Sequence, residues 1–318
     1  MKTDEVGLVA DIGRQSVRFA VTGGPGGITP RDIRSYHTAE HATFTSALLA
    51  YLDEVGLRDA TIASVLAVAG AARGDLINLT GSRWYISLSG VEAVLRIRPR
   101  ALNECAATAL ALTTLPQSAF TPVGANPTKL VQPGGNYVVI SVGTGLGVAA
   151  LVTTPDGRLV PVQTEAGHMS FSPNGPDEEK FAAFVRAKGA ASAETLLSAA
   201  GLVAAYGALA EGGKKVATPE EVTRASSRDP AATAAVRMFA GYLGAFIGDI
   251  VLAFGAWEGV YLTGPITRAL QVPLSDARFR HRLEAKDAFR RQLGDVPVSI
   301  VNRSDLELLG AAAALHQL

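Results

Sequence analysis

Two stretches of this chain follow one plan. LVADIGRQSVRFAV (8–21) and NYVVISVGTGLGVAALV (136–152) each read as an apolar strand, a tight turn opened by glycine, and a second strand. Each then continues into a third strand. GGPGG (23–27) turns the first copy toward a strand ending near Tyr36, and PDG (155–157) turns the second. A strand–turn–strand unit cannot bury its apolar face alone. Two copies, each followed by alternating helices and strands, predict duplicated α/β domains with a cleft between them, where ligands usually sit.

The rest of the pattern fits that plan. Phe44, Leu48, Leu49 and Leu52 give helical spacing over 42–54, TIASVLAVAG (61–70) reads as a buried strand, and GDLINLTGSRW (74–84) alternates and then turns. RPRALNE (98–104) reads as a strand handing over to the helix CAATALAL. Helices are predicted at 177–187, 193–210, 219–226 and 230–254, strands at 259–264 and 296–302, and DLELLGAAAALHQL closes the chain as a helix.

Composition removes several classes of function. Twenty-nine basic residues balance 29 acidic ones, so no net field draws the chain to nucleic acid or to an acidic membrane. The basic run Arg96, Arg98, Arg100 is short and reads as a solvated face. Cys105 is the only cysteine, which excludes a disulfide framework and a cysteine-based metal cluster. MKTDEVG lacks the apolar core of a signal peptide. The longest apolar run, MFAGYLGAFIGDIVLAFGAWEGV, contains Asp249 and many small residues, and is read as a buried helix followed by a strand. A cytoplasmic protein with no membrane or nucleic-acid partner is expected.

Four motifs can carry chemistry. In SVGTGLGVA (141–149) three glycines at alternate positions bare the backbone amides, and Thr144 adds a hydroxyl. Such a turn can cradle phosphate oxygens, although a plain hairpin has the same composition. DIGRQSVR (11–18) is its counterpart in the first copy. TEAGHMSF (164–171) sets Glu165 and His168 just after a strand, where they can bond a polyol or simply be solvated. Glu194 stands near the start of a helix, a position its charge favours in any case. ALNECAATAL (101–110) sets Asn103 and Glu104 at a strand-to-helix junction, as a cap or as a base that takes a hydroxyl proton.

Together these motifs resemble the bacterial glucokinase family, within the actin-like, hexokinase-type ATPase superfamily. The likeness covers essentially the whole chain and is most specific at GTGLGVA (143–149), EAGH (165–168), SAETLLSAAGLVAAY (192–206) and GVYLTGPI (259–266). GDLINLTGSRW also resembles the family's sugar-side loop, and LELLGAAAAL its closing helix. The resemblance implies two duplicated actin-like (ribonuclease H-like) α/β domains with an interdomain cleft. A small domain would span 1–112 plus 303–318, and a large one 113–302. It implies phosphorylation of a hexose, glucose first, by Mg-ATP. Asp11 would hold the magnesium through water. Gly13, Arg14, Gln15 and Ser16 would form the first phosphate loop, Gly143, Thr144 and Gly145 the second, and Gly264 the adenosine segment. Asn103, Glu165, His168 and Glu194 would bond the sugar, with Glu104 as the catalytic base. The family often forms homodimers, so a homodimer is expected.

Three departures stand out against the family pattern. Its first loop reads Asp-x-Gly-Gly-Thr-Asn-x-Arg, whereas this chain has Asp11-Ile12-Gly13-Arg14-Gln15-Ser16-Val17-Arg18. Arg14 there either strains or blocks the turn, or sets a guanidinium on a phosphate. Glu104 replaces the family's aspartate, which moves the carboxylate by about 1.5 Å on an unchanged backbone, and a misplacement of about 1 Å can cost roughly a hundredfold in rate. Thr80-Gly81-Ser82-Arg83-Trp84 replaces the family's Thr-Asn-His before an aromatic. These changes leave open a weakened kinase, a sugar-binding relative without turnover, or a kinase for another sugar.

Overall fold

The computed structural model describes residues 6–23, 27–79, 82, 84–210 and 218–317. The chain divides into two compact units. The first comprises Met1–Leu115 with Asp305–Leu318, and the second Pro116–Ser304.

In the first unit, β1 (Val6–Ile12), β2 (Ser16–Gly23) and β3 (Arg31–His37) form an antiparallel meander. β4 (Ser64–Val68) pairs parallel to β1. A small hairpin of β5 (Leu76–Asn78) and β6 (Tyr85–Ser87) follows, and then β7 (Arg100–Asn103) pairs parallel to β4. The sheet order is β3-β2-β1-β4-β7. β1 and β4 are central, so their side chains are apolar on both faces. The Phe44–Glu54 helix begins at a Thr43–Ser46 capping box and packs Phe44, Leu48 and Tyr51 into the core, where Phe19 lies 5.3 Å from the Tyr51 ring. Trp84 is buried in the same core, with its indole N–H donating to the His41 carbonyl at 3.1 Å. It anchors the loop that the sequence marks as sugar-side. Thr80, Gly81 and Arg83 lie outside the described residues.

The second unit repeats the order. β8 (Phe120–Pro122) is an edge strand, and β9 (Asn136–Val142), β10 (Leu146–Thr153) and β11 (Leu159–Gln163) form an antiparallel meander. β12 (Gly259–Thr263) and β13 (Val298–Val301) add on parallel, giving β11-β10-β9-β12-β13-β8. Apart from β8, both sheets run third, second, first, fourth, fifth strand in chain order. This is the duplicated, actin-like plan.

The apolar Pro230–Phe254 helix is long enough to cross a membrane, but 78% of its most apolar window is buried inside the fold. It is the core helix of this unit. Asp229 caps it by accepting the Ala231 and Ala232 amides, and Gly255 ends it in the left-handed conformation. The helix expected over 193–210 is broken. Ala193–Leu196 and Ala199–Leu209 are separate, because Ser198 ends the first turn and caps the second helix through the Gly201 amide. The Ala277–Glu284 helix and its short neighbours between 265 and 294 carry no clear sequence signal.

Candidate active site

The strand order puts the marked residues of the first unit on one sheet edge. Asp11, Ala67 and Leu102 stand in register across β1, β4 and β7. All three strands are parallel, so Asp11, Asn103 and Glu104 lie at their carboxyl ends, where open α/β sheets bind ligands. Asn103 is 8% exposed and its carboxamide is fixed at both ends. Its oxygen caps the Glu104–Ala111 helix through the Cys105 amide at 2.8 Å, and its nitrogen donates to the Gly70 carbonyl at 3.2 Å. Glu104 is the first residue of that helix and is half-buried.

Asp11 does not stand alone. Across the ladder it faces Arg18, which reaches its Oδ2 with Nε at 2.9 Å and Nη2 at 2.8 Å. The same Nη2 reaches Glu307 Oε2 at 3.0 Å. Burial pushes the Asp11 carboxyl above its ordinary pKa, and Arg18 offsets part of this. Glu307 is raised for the same reason, with a further push from the Asp11 charge. Arg18 is raised despite burial, because two carboxylates flank it. Glu307 is the residue that sequence reasoning missed. Its only signal was the closing helix, and a pairing 289 residues apart in sequence has no local signature.

The first hairpin is held from one side. Gly13 N–H donates to the Ser16 carbonyl at 2.9 Å. Thr38 grips the tip through its amide to Gln15 O at 2.9 Å and its hydroxyl to Arg14 O at 3.3 Å. Arg14 and Gln15 are exposed, and their amides have no protein acceptor among the described residues. Arg14 is not among the non-glycine residues with positive φ, which are Asp32, Arg96 and Asp287. The strained-turn alternative is therefore set aside. The backbone accommodates Arg14 in an ordinary conformation.

In the second unit, the marked residues gather around the backbone of one residue, Leu146. Its N–H donates to Glu194 Oε2 at 2.8 Å. Its carbonyl is covered by Gly167, where a Cβ would lie 2.0 Å from the oxygen. The Ala166–His168 turn that carries Glu165 and His168 thus rests directly on the second hairpin. The Met169 carbonyl accepts the Ala193 amide at 2.7 Å, which binds that segment to the Glu194 turn. Glu165 and His168 are exposed, and Glu194 is half-buried. Gly145 lies so close to Glu194 that a Cβ would stand 2.6 Å from Oε2. Gly143 N–H donates to Gly145 O at 2.9 Å, while the Thr144 and Gly145 amides have no protein acceptor among the described residues. Gly264 follows β12 with φ of 94°, and a Cβ there would lie 2.2 Å from Val142 O. Only glycine fits that contact.

The residues fit magnesium brought by a nucleotide. Among the described residues no group of three metal-ligating side chains could hold a metal ion. One carboxylate such as Asp11, acting with substrate phosphates and water, is a common way for a protein to hold Mg²⁺.

Comparison with known proteins identifies the family and the fold. The glucokinase family model matches residues 8–318. The glucokinase of Xanthomonas campestris pv. campestris (strain B100) is 36% identical over 321 residues, covering 96% of this chain and 93% of the relative. The crystal structure of a glucokinase from an Antarctic psychrotroph superposes with a TM-score of 0.83 at 27% identity, over 98% of this chain and 99% of that one. A ROK family glucokinase from Streptomyces griseus, solved with glucose and AMPPNP, shares the fold, with a TM-score of 0.62 at 17% identity over 99% of this chain and 100% of that one. This chain belongs to the glucokinase family.

Proposed function

We propose that this chain transfers the terminal phosphoryl group of Mg-ATP to the 6-hydroxyl of a hexose, glucose before others. The observation that carries the reading is the alignment of Asp11, Asn103 and Glu104 along one carboxyl sheet edge in a glucokinase-family chain. Asp11 and Leu102 are two strand spacings apart, about 10 Å. That is room for a phosphoryl group between a metal-holding carboxylate and a base that follows Leu102 by two residues.

Each residue then has a task. Glu104 accepts the proton of the attacking hydroxyl. Arg18 and Glu307 hold Asp11 in place before the nucleotide arrives, so less ordering is lost on binding. Magnesium, when bound, neutralises phosphate charge, with Asp11 as its protein contact through water. The tip amides of both hairpins, at Arg14–Gln15 and at Thr144–Gly145, donate to phosphate oxygens. The Arg14 guanidinium adds charge to the first hairpin, and Gly264 lies against the adenosine. Glu165, His168, Glu194 and Asn103 bond the sugar hydroxyls. With this reading go a cytoplasmic location and a homodimer, and light scattering of the purified chain would measure the mass that tests the dimer.

The test is product formation. Purified protein with Mg-ATP is expected to convert glucose to its 6-phosphate, faster than mannose or an amino sugar. Saturable glucose binding by calorimetry with no product from any of the three sugars would overturn phosphoryl transfer and leave a sugar-binding protein.

A further inference from the structure

A second cavity lies in the second unit, and none of the residues assigned above lines it. Arg228, Arg237 and Arg278 line one solvent-open cavity of about 570 Å³ together with the hydroxyl-bearing Ser227 and Thr233. Asp177 is the one carboxylate on its lining. Neighbouring arginines are neutralised: Arg280 pairs with Glu284 at 2.9 Å, and Arg282 with Glu178 at 2.6 Å. Among the described residues, Arg228, Arg237 and Arg278 make no ion pair at all. All three are exposed, so water screens their mutual repulsion, and an anion in the cavity would meet three guanidinium donors against the single carboxylate of Asp177.

The fold forces this convergence. A Cβ on Gly244 would lie 2.2 Å from the Phe279 carbonyl oxygen, so the Pro230–Phe254 and Ala277–Glu284 helices meet backbone to backbone. The Arg278 stem runs past Gly241, 3.8 Å from where a Cβ would be. Arg237 is four residues before Gly241 and shares its face. Both arginines also line two adjoining cavities of about 190 and 140 Å³. The larger is walled by Val236, Val272 and Phe279, an apolar surface beside the charged one.

We propose that this cavity binds a phosphate-bearing small molecule. Guanidinium forks match pairs of phosphate oxygens, the volume lies in the range of small-molecule sites, and the apolar annex can hold the rest of an organic phosphate. The shared chemistry is the phosphate group, and three probes separate its sources: pyrophosphate, glucose 6-phosphate and AMP.

Calorimetry on the full chain tests this, comparing wild type with the double variant Arg237→Ala/Arg278→Ala. At least one probe is expected to bind wild type saturably and to lose tenfold or more in affinity in the double variant. The tightest probe names the source: inorganic polyphosphate, sugar phosphate or nucleotide. An unchanged melting temperature and far-UV spectrum show that the variant is folded. Absence of saturable binding by all three probes overturns the proposal. Equal affinity in wild type and variant does so too, since the anion then sits elsewhere.

Discussion

The two hairpins occupy equivalent places in the two sheets, yet they are constrained differently. In the second, Val142 faces Leu146 across three turn residues, and protein groups press on it from several directions. Gly145 abuts Glu194, Gly167 covers the Leu146 carbonyl, and Gly264 abuts Val142. In the first, Ile12 faces Val17 across four residues, and a Cβ on Gly13 would meet only the Ser16 carbonyl, at 3.4 Å. Small residues in the second hairpin are thus required by packing as well as by any ligand. In the first, packing makes no such demand. Of the three departures from the family pattern, the one at Arg14–Ser16 falls where packing constrains the chain least.

Substitutions can break or sharpen this contrast. The largest effect is expected at the glycines that touch backbone. Gly264→Ala or Gly167→Ala drives a methyl into a carbonyl, and should cost about 3 kcal/mol in chemical denaturation. A loss below about 1 kcal/mol at both sites would remove the packing half of the argument. Gly145→Ala should cost less, about 1–2 kcal/mol, because the group it meets is the end of a flexible side chain. It should displace Glu194 and raise the KM for the sugar, and, since the Gly145 amide is assigned to phosphate, raise that for ATP as well.

Glu307→Gln comes next, with an effect on stability below about 1 kcal/mol and a signature in pH. Asp11 and Glu307 have raised folded pKa values, so each binds its proton more tightly folded than unfolded. Their contribution is full below the unfolded pKa near 4, and is lost as pH rises through the folded values. Removing Glu307 takes away one such group and leaves Arg18 to Asp11 alone. The stability of the variant should therefore fall less steeply than that of wild type above about pH 4. A steeper fall would contradict the burial account of these shifts.

The smallest stability change is expected in the first hairpin, within about 0.5 kcal/mol for Gly13→Ala or Arg14→Gly. Function separates the two readings of Arg14. A higher KM for ATP in Arg14→Gly places its guanidinium on a phosphate, while a lower one means that the side chain obstructs the loop.

What could be read in the sequence follows the range of the forces involved. Both meanders, the bounds of the Pro230–Phe254 helix and the junction at Asn103–Glu104 were legible, because periodicity, caps and turn residues are local. The break at Ser198 was not, since the apolar spacing continues through it and only the capping bond to Gly201 interrupts the helix. β8 is three residues ending in proline, too short to show alternation. In the site, residue types were legible but their contacts were not. Glu194 looked like a helix-start carboxylate, and its bond to the Leu146 amide spans 48 residues. Glu307 reaches Arg18 only because the closing helix returns to the first unit.

The central claim is that Glu104 takes the proton in phosphoryl transfer to a hexose. Steady-state kinetics of wild type, Glu104→Ala and Glu104→Asp with Mg-ATP and glucose test it most directly. Glu104→Ala should lower kcat by about 10²–10⁴-fold with little change in the KM for glucose, and Glu104→Asp should hold or exceed wild-type turnover. A wild-type kcat in Glu104→Ala would show that the proton leaves by another route, and would contradict the account.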